Sequence, residues 1–449
     1  MSEHYHFIGI GGIGMSGLAK LLLDRNVSVS GSDIATNLII EQLAYSGAAI
    51  YKGHAYQNIS PGATVVYSTD IKTENSEYQA SIELGCPIIH RSDLLAHLIK
   101  DRRSLAVTGT HGKTTTSALL CAVLMEANLS PSFAVGGIIS QFQTNARSGK
   151  GDLFVFEADE SDGSFLKYSP ACAIITNIDN DHLNAYEGSI ENLKEAFSTF
   201  IGQVSSPLIF WCGDDPYLKK MGCPGQSYGF EPQCDWKICS VKQEGFCQIF
   251  DLEWQGKRFS NIHLNLIGRH NILNATAVFS LAYALEVPEE SIRQAFVSFK
   301  GVSRRCETKG ELNGARFIDD YAHHPTEIRT TLLGLRHAIG SQKMIAVFQP
   351  HRFSRTKDCL GQFGNVFGAA DEVIVTDIYA SGEAYIPGLT AELIVKEIQA
   401  CFQGSVQYVP RSALGRHLSK LVKEQDVVVT LGAGDVTRVA GEAFCNHTC

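Results

Sequence analysis

Short apolar runs alternate with amphipathic helical stretches through almost all of this 449-residue chain. Such runs are typical of buried parallel strands, and the helical stretches supply the crossovers that parallel pairing requires. The alternation predicts an α/β fold of three successive units, each built around a mostly parallel sheet. We place the domains at residues 1–102, 103–302 and 303–449.

The stretch 234–268 departs from this alternation. Its apolar and polar residues alternate one by one with turn-like interruptions, which indicates antiparallel strands added to the central sheet. The predicted architecture is therefore Rossmann-like in the N-terminal and C-terminal units. The central unit is predicted to be of the phosphate-loop ATPase type, because two glycines and a lysine, at 109, 112 and 113, join its first strand to a helix.

The run GIGGIG near the N-terminus has the glycine spacing of a dinucleotide-binding loop, at Gly9, Gly11 and Gly14. Asp33 follows 19 residues after Gly14, where an acid could hold a ribose. Taken alone, the run favours NAD. The physics of the loop specifies only a diphosphate, since any such group can sit against the glycines and the following helix N-terminus.

The strongest single motif is VTGTHGKTTTSALL at 107–120. An apolar strand leads into Gly109 and Gly112, and a lysine, three threonines and a helix follow. Glycine amides can surround phosphate oxygens, Lys113 can reach the terminal phosphates, and the hydroxyl of Thr114 can bind Mg²⁺. The loop lacks one glycine of the common pattern, but a simple turn has no need of this lysine and its hydroxyls.

Acidic residues follow another buried strand in LFVFEADESDGSF. Glu157 comes directly after the apolar run and is our candidate for a second Mg²⁺ ligand, with His182 as a third. We expect at least two of the four acids to be solvated on the surface: Glu157, Asp159, Glu160 and Asp162.

Composition excludes several classes of protein. The net charge is -9 and no long basic run is present, so nucleic acid is not expected as a partner. No apolar run approaches the roughly 18 residues of a membrane span, and no secretory leader precedes the first strand. The 13 cysteines form no CxxC pair, which argues against a zinc site or a disulfide framework. We expect a cytoplasmic protein, and the oligomeric state cannot be predicted.

Several motifs in order closely resemble those of the Mur ligases of peptidoglycan synthesis. They are TGTHGKTTT, EADESDGSF, TNIDNDH, GRHNILNA and DDYAHHPTE. The GIGGIGMSGLA opening and FQPHRFSRT further resemble the branch that joins L-alanine to UDP-N-acetylmuramate. The resemblance covers essentially the whole chain.

The resemblance implies an ATP-dependent ligation. The γ-phosphate passes to the lactyl carboxylate of UDP-N-acetylmuramate, and the amine of L-alanine attacks the resulting acyl phosphate. ATP, Mg²⁺ and both substrates are the implied ligands. Related ligases carry a carbamoylated lysine some fifteen residues after the histidine of the TNI motif. Here that position falls near Phe197, in agreement with the alanine-adding branch.

The resemblance also implies roles for individual residues. The catalytic set would be Lys113, His182, His324 and Arg305, and the metal ligands Thr114, Glu157 and His182. ATP would be bound by Gly109, Thr110, His111, Gly112, Lys113, Thr114, Thr115, Asn271, Asn274, Arg305 and Asp320 (or Asp319). The UDP-sugar would be bound by Gly11, Gly12, Gly14, Ser32, Asp33, His54 and Ser68, and the amino acid by Tyr321, His351, Arg352 and Arg355.

Structural roles compete with some of these assignments. Asn271 and Asn274 could cap a helix N-terminus, and His323 and His324 before a proline could mark a helix start. Arg304 leaves the register of the arginine uncertain. Three other functions stay open: an NAD-dependent oxidoreductase, a ligase that attaches a whole tripeptide to the same sugar nucleotide, and a nucleotide sensor without turnover.

Overall fold

The computed structural model describes residues 4–181 and 183–447. Its contacts divide the chain into two compact units. The first holds the residues up to 240 with 250–262 and 273–300, and the second holds 241–249, 263–272 and the residues from 301 on.

The first sheet has five parallel strands in the order β3-β2-β1-β4-β5, an order found in nucleotide-binding α/β folds. Its strands are β1 (His4–Ile8), β2 (Ser28–Asp33), β3 (Ala49–Lys52), β4 (Thr64–Tyr67) and β5 (Ile88–His90). The crossover helices and the helix that closes the sheet are α1 (Ile13–Asp24), α2 (Leu38–Tyr45), α3 (Ser76–Glu83) and α4 (Arg91–Ile99).

The second sheet has ten strands in the order β15-β14-β13-β12-β11-β10-β6-β9-β7-β8. The strands are β6 (Arg103–Thr108), β7 (Ser132–Ile139), β8 (Thr144–Arg147), β9 (Leu153–Glu157), β10 (Cys172–Ile175), β11 (Ile209–Cys212), β12 (Gln226–Gly229), β13 (Trp236–Glu244), β14 (Cys247–Trp254) and β15 (Lys257–Leu264). The helices are α5 (Lys113–Glu126), α6 (Ile190–Gly202), α7 (Pro216–Met221), α8 (Arg269–Ala284) and α9 (Glu289–Ser298).

The third sheet has six strands in the order β16-β17-β21-β18-β19-β20, parallel except for the first pair. The strands are β16 (Glu307–Leu312), β17 (Ala315–Asp320), β18 (Met344–Phe348), β19 (Glu372–Val375), β20 (Ser405–Tyr408) and β21 (Val427–Leu431). The helices are α10 (Pro325–Ile339), α11 (Phe353–Asp358), α12 (Ala391–Gln399), α13 (Arg411–Leu421) and α14 (Val439–His447).

The predicted fold class is confirmed: three mostly parallel sheets follow one another along the chain. The strands in 234–268 lie side by side at one end of the second sheet. Their connections, 245–246 and 255–256, are too short for parallel crossovers, so these strands run antiparallel. The domain boundaries near 102 and 302 stay predictions.

The hairpin of β7 and β8 at the other end of the second sheet was not predicted from the sequence. Gly136 and Gly137 interrupt the apolar run of β7, and β8 is the polar tetrapeptide TNAR. Glycine and short polar residues are poor strand formers, so these strands depend on pairing: β7 pairs with β9, and β8 pairs with β7.

No helix in the described part of the chain is long and apolar enough to cross a membrane. The twelve cysteines in the same residues are all free thiols.

Candidate active site

The glycine run lies at the C-terminal end of β1, where it turns into α1. The amides of Gly9 and Ile10 donate to the carbonyl of Ser32, at 2.9 and 3.0 Å, and so fix the loop against β2. The amide of Gly11 donates to Asp33 Oδ2 at 2.9 Å. The carboxylate of Asp33 therefore closes the glycine loop.

The other predicted UDP-sugar residues lie at the same end of the first sheet. Gly12 immediately precedes α1, Gly14 lies in the first turn of that helix, and Ser68 follows β4, which pairs with β1. Carboxyl ends of parallel strands at a change in strand order are where α/β sheets bind ligands. The structure thus places these residues at one edge of the sheet.

Ser32 and His54 meet at a buried carboxylate that no sequence pattern singles out. Ser32 Oγ donates to Glu77 Oε2 at 2.5 Å and lies 2.9 Å from His54 Nδ1. Asn58 donates to the other oxygen of Glu77, and the ring of His6 lies 3.4 Å from the carboxylate. Burial opposes ionisation of Glu77, but these hydrogen bonds outweigh it and lower the pKa of the carboxyl.

We expect the substitution Glu77→Ala to lower the free energy of unfolding by about 3 kcal/mol, because Ser32 and Asn58 lose a buried acceptor. Glu77→Gln keeps one acceptor oxygen and should cost about half as much. Urea unfolding measures both, with Glu83→Gln, at an exposed position of the same helix, as the control. Equal stability of all three variants would contradict the assigned role.

The predicted phosphate loop, residues 109–112, joins β6 to α5 and requires glycine at two positions. Gly109 has φ +126°, and a Cβ there would lie 2.2 Å from Thr176 Oγ1. Gly112 has φ +85° and directly precedes α5. The first amides of a helix have no intrahelical acceptor, so those of α5 are available to an anion. Thr115 lies in this first turn.

The loop that follows β10 holds the phosphate loop in place. The amides of Thr110 and His111 donate to the backbone oxygen and the side-chain oxygen of Asn177, at 3.0 and 2.8 Å. The hydroxyl of Thr110 accepts the amide of Asp179, whose carboxylate lies 3.0 Å from His111 Nε2. Both residues are thus brought to the predicted ATP site, with their amides already engaged.

Lys113 is surrounded by acceptors. Its Nζ donates to the carbonyls of Gly109 and Thr110, at 2.8 and 3.2 Å, and to Glu160 Oε2 at 2.7 Å. Asp159 Oδ1 is 4.0 Å away. Burial opposes the charge of Lys113, but these carboxylates outweigh it and raise the pKa of the amine. Burial raises the pKa of Glu160 to about 7, against the pull of Lys113.

Thr114 and Glu157 form a pair of oxygen donors suited to a hard cation. Thr114 Oγ1 donates to Glu157 Oε2 at 3.1 Å, and Ser117 and the amide of Gly136 donate to the other oxygen. A Cβ at Gly136 would lie 2.8 Å from the carboxylate and 3.1 Å from Thr114 Oγ1, so only glycine leaves this cradle open. Hydroxyl and carboxylate oxygens are the ligands that Mg²⁺ takes in nucleotide sites. The residues present therefore fit Mg²⁺.

The expectation that at least two of the acids in EADESDGSF are solvated is wrong. Glu160 is fully buried, and the other three are partly buried. Asp162 binds Arg91 at 3.0 Å, and Asp159 lies between Arg91 and Lys113. Arg91 and Lys113 are distant in sequence from these acids, so the ion pairs could not be predicted from the acidic run itself.

Two further positions lie in the motif TNIDNDH and in α6. His182, predicted as a metal ligand and catalytic residue, lies outside the described residues. Phe197, at the position of the lysine found in related ligases, is fully buried and packs edge-on against Phe165.

The two asparagines of GRHNILNA lie inside α8, which begins at Arg269, so the N-capping alternative is wrong for both. Asn271 is buried and donates to the carbonyl of Ile267 at 2.7 Å. Asn274 is buried and lies beside the phosphate loop: a Cβ at Gly112 would lie 2.9 Å from Asn274 Oδ1.

The structure separates the roles of the two arginines in GVSRRCE. Arg304 donates to three carbonyls, of Gly432, Ala433 and Gly434, and is thereby committed to the loop after β21. The guanidinium of Arg305 forms no hydrogen bond with the part of the chain described and lies 5.3 Å from the ring centroid of Tyr321. Of the two arginines, Arg305 is thus the one whose guanidinium is available to bind a ligand.

Asp320 and His324 lie at the C-terminal end of β17. Asp320 is buried and accepts the amides of Cys306 and Ala322, at 2.7 and 2.9 Å. Burial raises the pKa of this carboxyl, while Arg305 opposes the shift. His324 directly precedes α10, and its amide lies 3.4 Å from Glu327 Oε2, so the predicted helix start is confirmed.

Asp319 serves the fold, since it is fully buried and accepts the hydroxyls of Thr430 and Thr437, both at 2.6 Å. His270, which was not predicted as a site residue, is an inward-facing residue of GRHNILNA. Burial, with Arg305 nearby, lowers the pKa of His270 to about 4.

The motif FQPHRFSRT follows β18. The ring of His351 stacks on that of Tyr379 at 5.6 Å between centroids, and Arg355 lies 3.2 Å from His351 Nδ1. Arg352 precedes α11, and its amide donates to the carbonyl of Tyr379. Burial lowers the pKa of His351 to about 3, with His323 and the arginines adding to the shift. His351 is therefore neutral and can accept from Arg355.

We expect acid to destabilise the protein partly through His351. Between pH 6.5 and about 3 the unfolded chain binds a proton at this residue and the folded chain does not, so the free energy of unfolding falls as pH falls. His351→Gln should reduce the stability loss between pH 7 and pH 5 by about 1 kcal/mol, allowing for partial exposure. Urea unfolding at both pH values measures it. His337→Gln, at an exposed site, should change nothing.

Comparison with known families agrees with this arrangement. Three family models match in order: the Mur ligase family, catalytic domain, at 4–103, the Mur ligase middle domain at 107–282, and the Mur ligase, glutamate ligase domain, at 304–434. The chain belongs to the Mur ligase family, whose members are ATP-dependent.

Among relatives, the chain is 60% identical to UDP-N-acetylmuramate--L-alanine ligase of Protochlamydia amoebophila, over 99% of this chain and 98% of that protein. It is 44% identical to the bifunctional enzyme MurC/Ddl of Chlamydia caviae, over 97% of this chain and 54% of that protein. The crystal structure of UDP-N-acetylmuramate-alanine ligase MurC from Thermotoga maritima superposes with a TM-score of 0.87, at 29% identity, over 98% and 99% of the two chains.

Proposed function

We propose that this Mur ligase joins L-alanine to the lactyl carboxylate of UDP-N-acetylmuramate, with hydrolysis of ATP to ADP and phosphate. The observation that carries the proposal is the convergence of Lys113, Thr114 and Glu157 at one phosphate loop, in a chain that is 60% identical to a ligase of that name. The protein would then work in the cytoplasm on precursors of peptidoglycan.

Amide formation from a carboxylate needs activation, because the carboxylate is a poor electrophile. Transfer of the γ-phosphoryl group forms an acyl phosphate, the amine of L-alanine attacks its carbonyl carbon, and phosphate leaves as the amide forms. Bringing ATP to a carboxylate sets two anions together, so the site must supply positive charge. Lys113 supplies it on leaving Glu160 for the phosphates.

Mg²⁺ would be held by Thr114 and Glu157, and His182 stays a predicted third ligand. When bound, the ion supplies charge that neutralises the β- and γ-phosphates. The amides at the start of α5 and the glycines of the loop orient the phosphate chain, and Asn274 would lie toward the nucleotide base. Arg305 and Asp320 are proposed for the phosphates and the ribose, and His324 for the reaction centre.

The UDP-sugar is proposed to bind against the glycine run of the first sheet. Gly11, Gly12 and Gly14 would face the pyrophosphate, with Ser32, Asp33, His54 and Ser68 around the remainder of the nucleotide. The amino acid is proposed to bind at Tyr321, His351, Arg352 and Arg355. An arginine side chain suits the free α-carboxylate of L-alanine, since its planar fork matches two carboxylate oxygens.

The decisive experiment measures phosphate release with ATP, Mg²⁺ and UDP-N-acetylmuramate, with L-alanine, glycine, L-serine or the tripeptide as the amino donor. We expect L-alanine to give the highest kcat/KM. If the tripeptide alone stimulates release, the tripeptide ligase is the correct assignment. Absence of release with every donor contradicts a ligase, and an absorbance change with NADH and a carbonyl compound would then favour an oxidoreductase.

A further inference from the structure

Arg91, in the helix that follows the last strand of the first sheet, pairs with two acids that follow β9. It is the first residue of α4, directly after β5, and its NH2 lies 3.0 Å from Asp162 Oδ2 and 3.5 Å from Asp159 Oδ2. Asp159 in turn reaches Lys113 with its other oxygen, at 4.0 Å. One carboxylate is thus shared between a cation of the first sheet and the lysine of the phosphate loop.

The other end of the same guanidinium faces the glycine run. A Cβ at Gly14 would lie 3.4 Å from Arg91 NH1. Asp162 also accepts the hydroxyl of Thr69, at 3.1 Å, so two elements of the first sheet hold this carboxylate. Arg91 is about three-quarters buried, which keeps its ion pairs poorly screened by solvent.

The charge balance around Lys113 depends on Arg91. Without it, Asp159 has Lys113 as its nearest cation and would hold the lysine together with Glu160. The site would also carry one more uncompensated negative charge, which repels the phosphates of ATP. Since ATP must draw Lys113 away from these carboxylates, any gain in their hold on the lysine weakens nucleotide binding.

We propose that Arg91 is a positioning residue of the ATP site, which acts by compensating Asp159 and Asp162 so that Lys113 is free to reach phosphate. The inference rests on the proposed function, because it takes the loop at Lys113 as the ATP site. A residue of α4, the helix that closes the first sheet, thereby contributes to the electrostatics of nucleotide binding at the second sheet.

Calorimetry tests the role of Arg91. It measures the affinity of the full chain for the non-hydrolysable analogue adenosine 5′-(β,γ-imido)triphosphate in the presence of Mg²⁺. Arg91→Gln should weaken binding about tenfold, and Arg91→Lys, which keeps the charge, should restore most of it. The double variant Arg91→Gln with Asp162→Asn should bind more tightly than Arg91→Gln alone, since one excess negative charge is removed. A purely structural arginine would not be rescued in this way.

Lys167→Gln is the matched control. Lys167 pairs at 2.6 Å with Asp93, which lies in α4 like Arg91, and it forms no ion pair with Asp159 among the described residues. Its binding should equal that of the unsubstituted chain. Unchanged analogue affinity in Arg91→Gln, or a lower affinity in the double variant than in the single one, would overturn the role of Arg91 and leave the proposed function intact. If the unsubstituted chain binds no analogue, the proposed function itself fails.

Discussion

Replacing Lys113 with alanine should reduce phosphate release by about a thousandfold or more, while affinity for UDP-N-acetylmuramate stays within about twofold. Lys113 is the cation of the phosphate loop, and its Nζ already lies within hydrogen-bonding distance of two loop carbonyls. Its loss removes the charge that offsets repulsion between ATP and the substrate carboxylate. The glycine run of the first sheet does not contain this residue, so sugar-nucleotide binding is preserved.

Steady-state phosphate release and calorimetry with UDP-N-acetylmuramate measure the two properties. Lys219→Ala is the control, since Lys219 is half exposed on α7 and pairs only weakly with Glu231. Retention of more than about a tenth of the activity by Lys113→Ala would exclude Lys113 from phosphate transfer. Loss of sugar-nucleotide binding as well would indicate a general effect on folding.

Glu157→Gln is expected to lower kcat by about a hundredfold and to raise the Mg²⁺ concentration needed for half-maximal rate. The amide is nearly isosteric with the carboxylate and can still accept from Ser117 and Gly136 with its oxygen. It lacks the negative charge that a hard cation requires. The defect should therefore be partly relieved by high Mg²⁺, which a packing defect would not be.

A titration of rate against Mg²⁺ separates these explanations. Glu191→Gln, at a highly exposed position of α6, provides a matched loss of charge away from the site. If Glu157→Gln shows the same Mg²⁺ dependence as the unsubstituted chain, Glu157 does not bind the ion.

Local sequence patterns are enough to predict most of the strands, helices and loops of this fold. Gly109, Gly112 and Lys113 lie within a few residues of one another, and their proposed roles follow from the strand, turn and helix in which they lie. The strand that ends at Glu157 is equally visible, since its apolar run is continuous. Hence the fold class, the phosphate loop and the Thr114–Glu157 pair could be predicted from the sequence.

The hydrogen bonds and ion pairs between distant segments could not be predicted. Glu77 meets Ser32 across 45 residues, and Arg91 meets Asp162 across 71. From a single sequence, an acidic residue on a helix or after a strand is predicted to be solvated, because no neighbouring residue indicates its distant partner. The burial of Glu160 was missed for the same reason, as its cation belongs to another strand–helix turn.

The anchoring of the phosphate loop by Asn177 has a thermodynamic consequence. Because the amides of Thr110 and His111 are already bound, the loop loses its conformational entropy when the chain folds and not when the nucleotide arrives. Such preorganisation leaves more of the contact energy available as affinity. If the loop binds ATP as proposed, we expect Asn177 to raise the affinity for the nucleotide, because little conformational entropy of the loop then remains to be lost on binding.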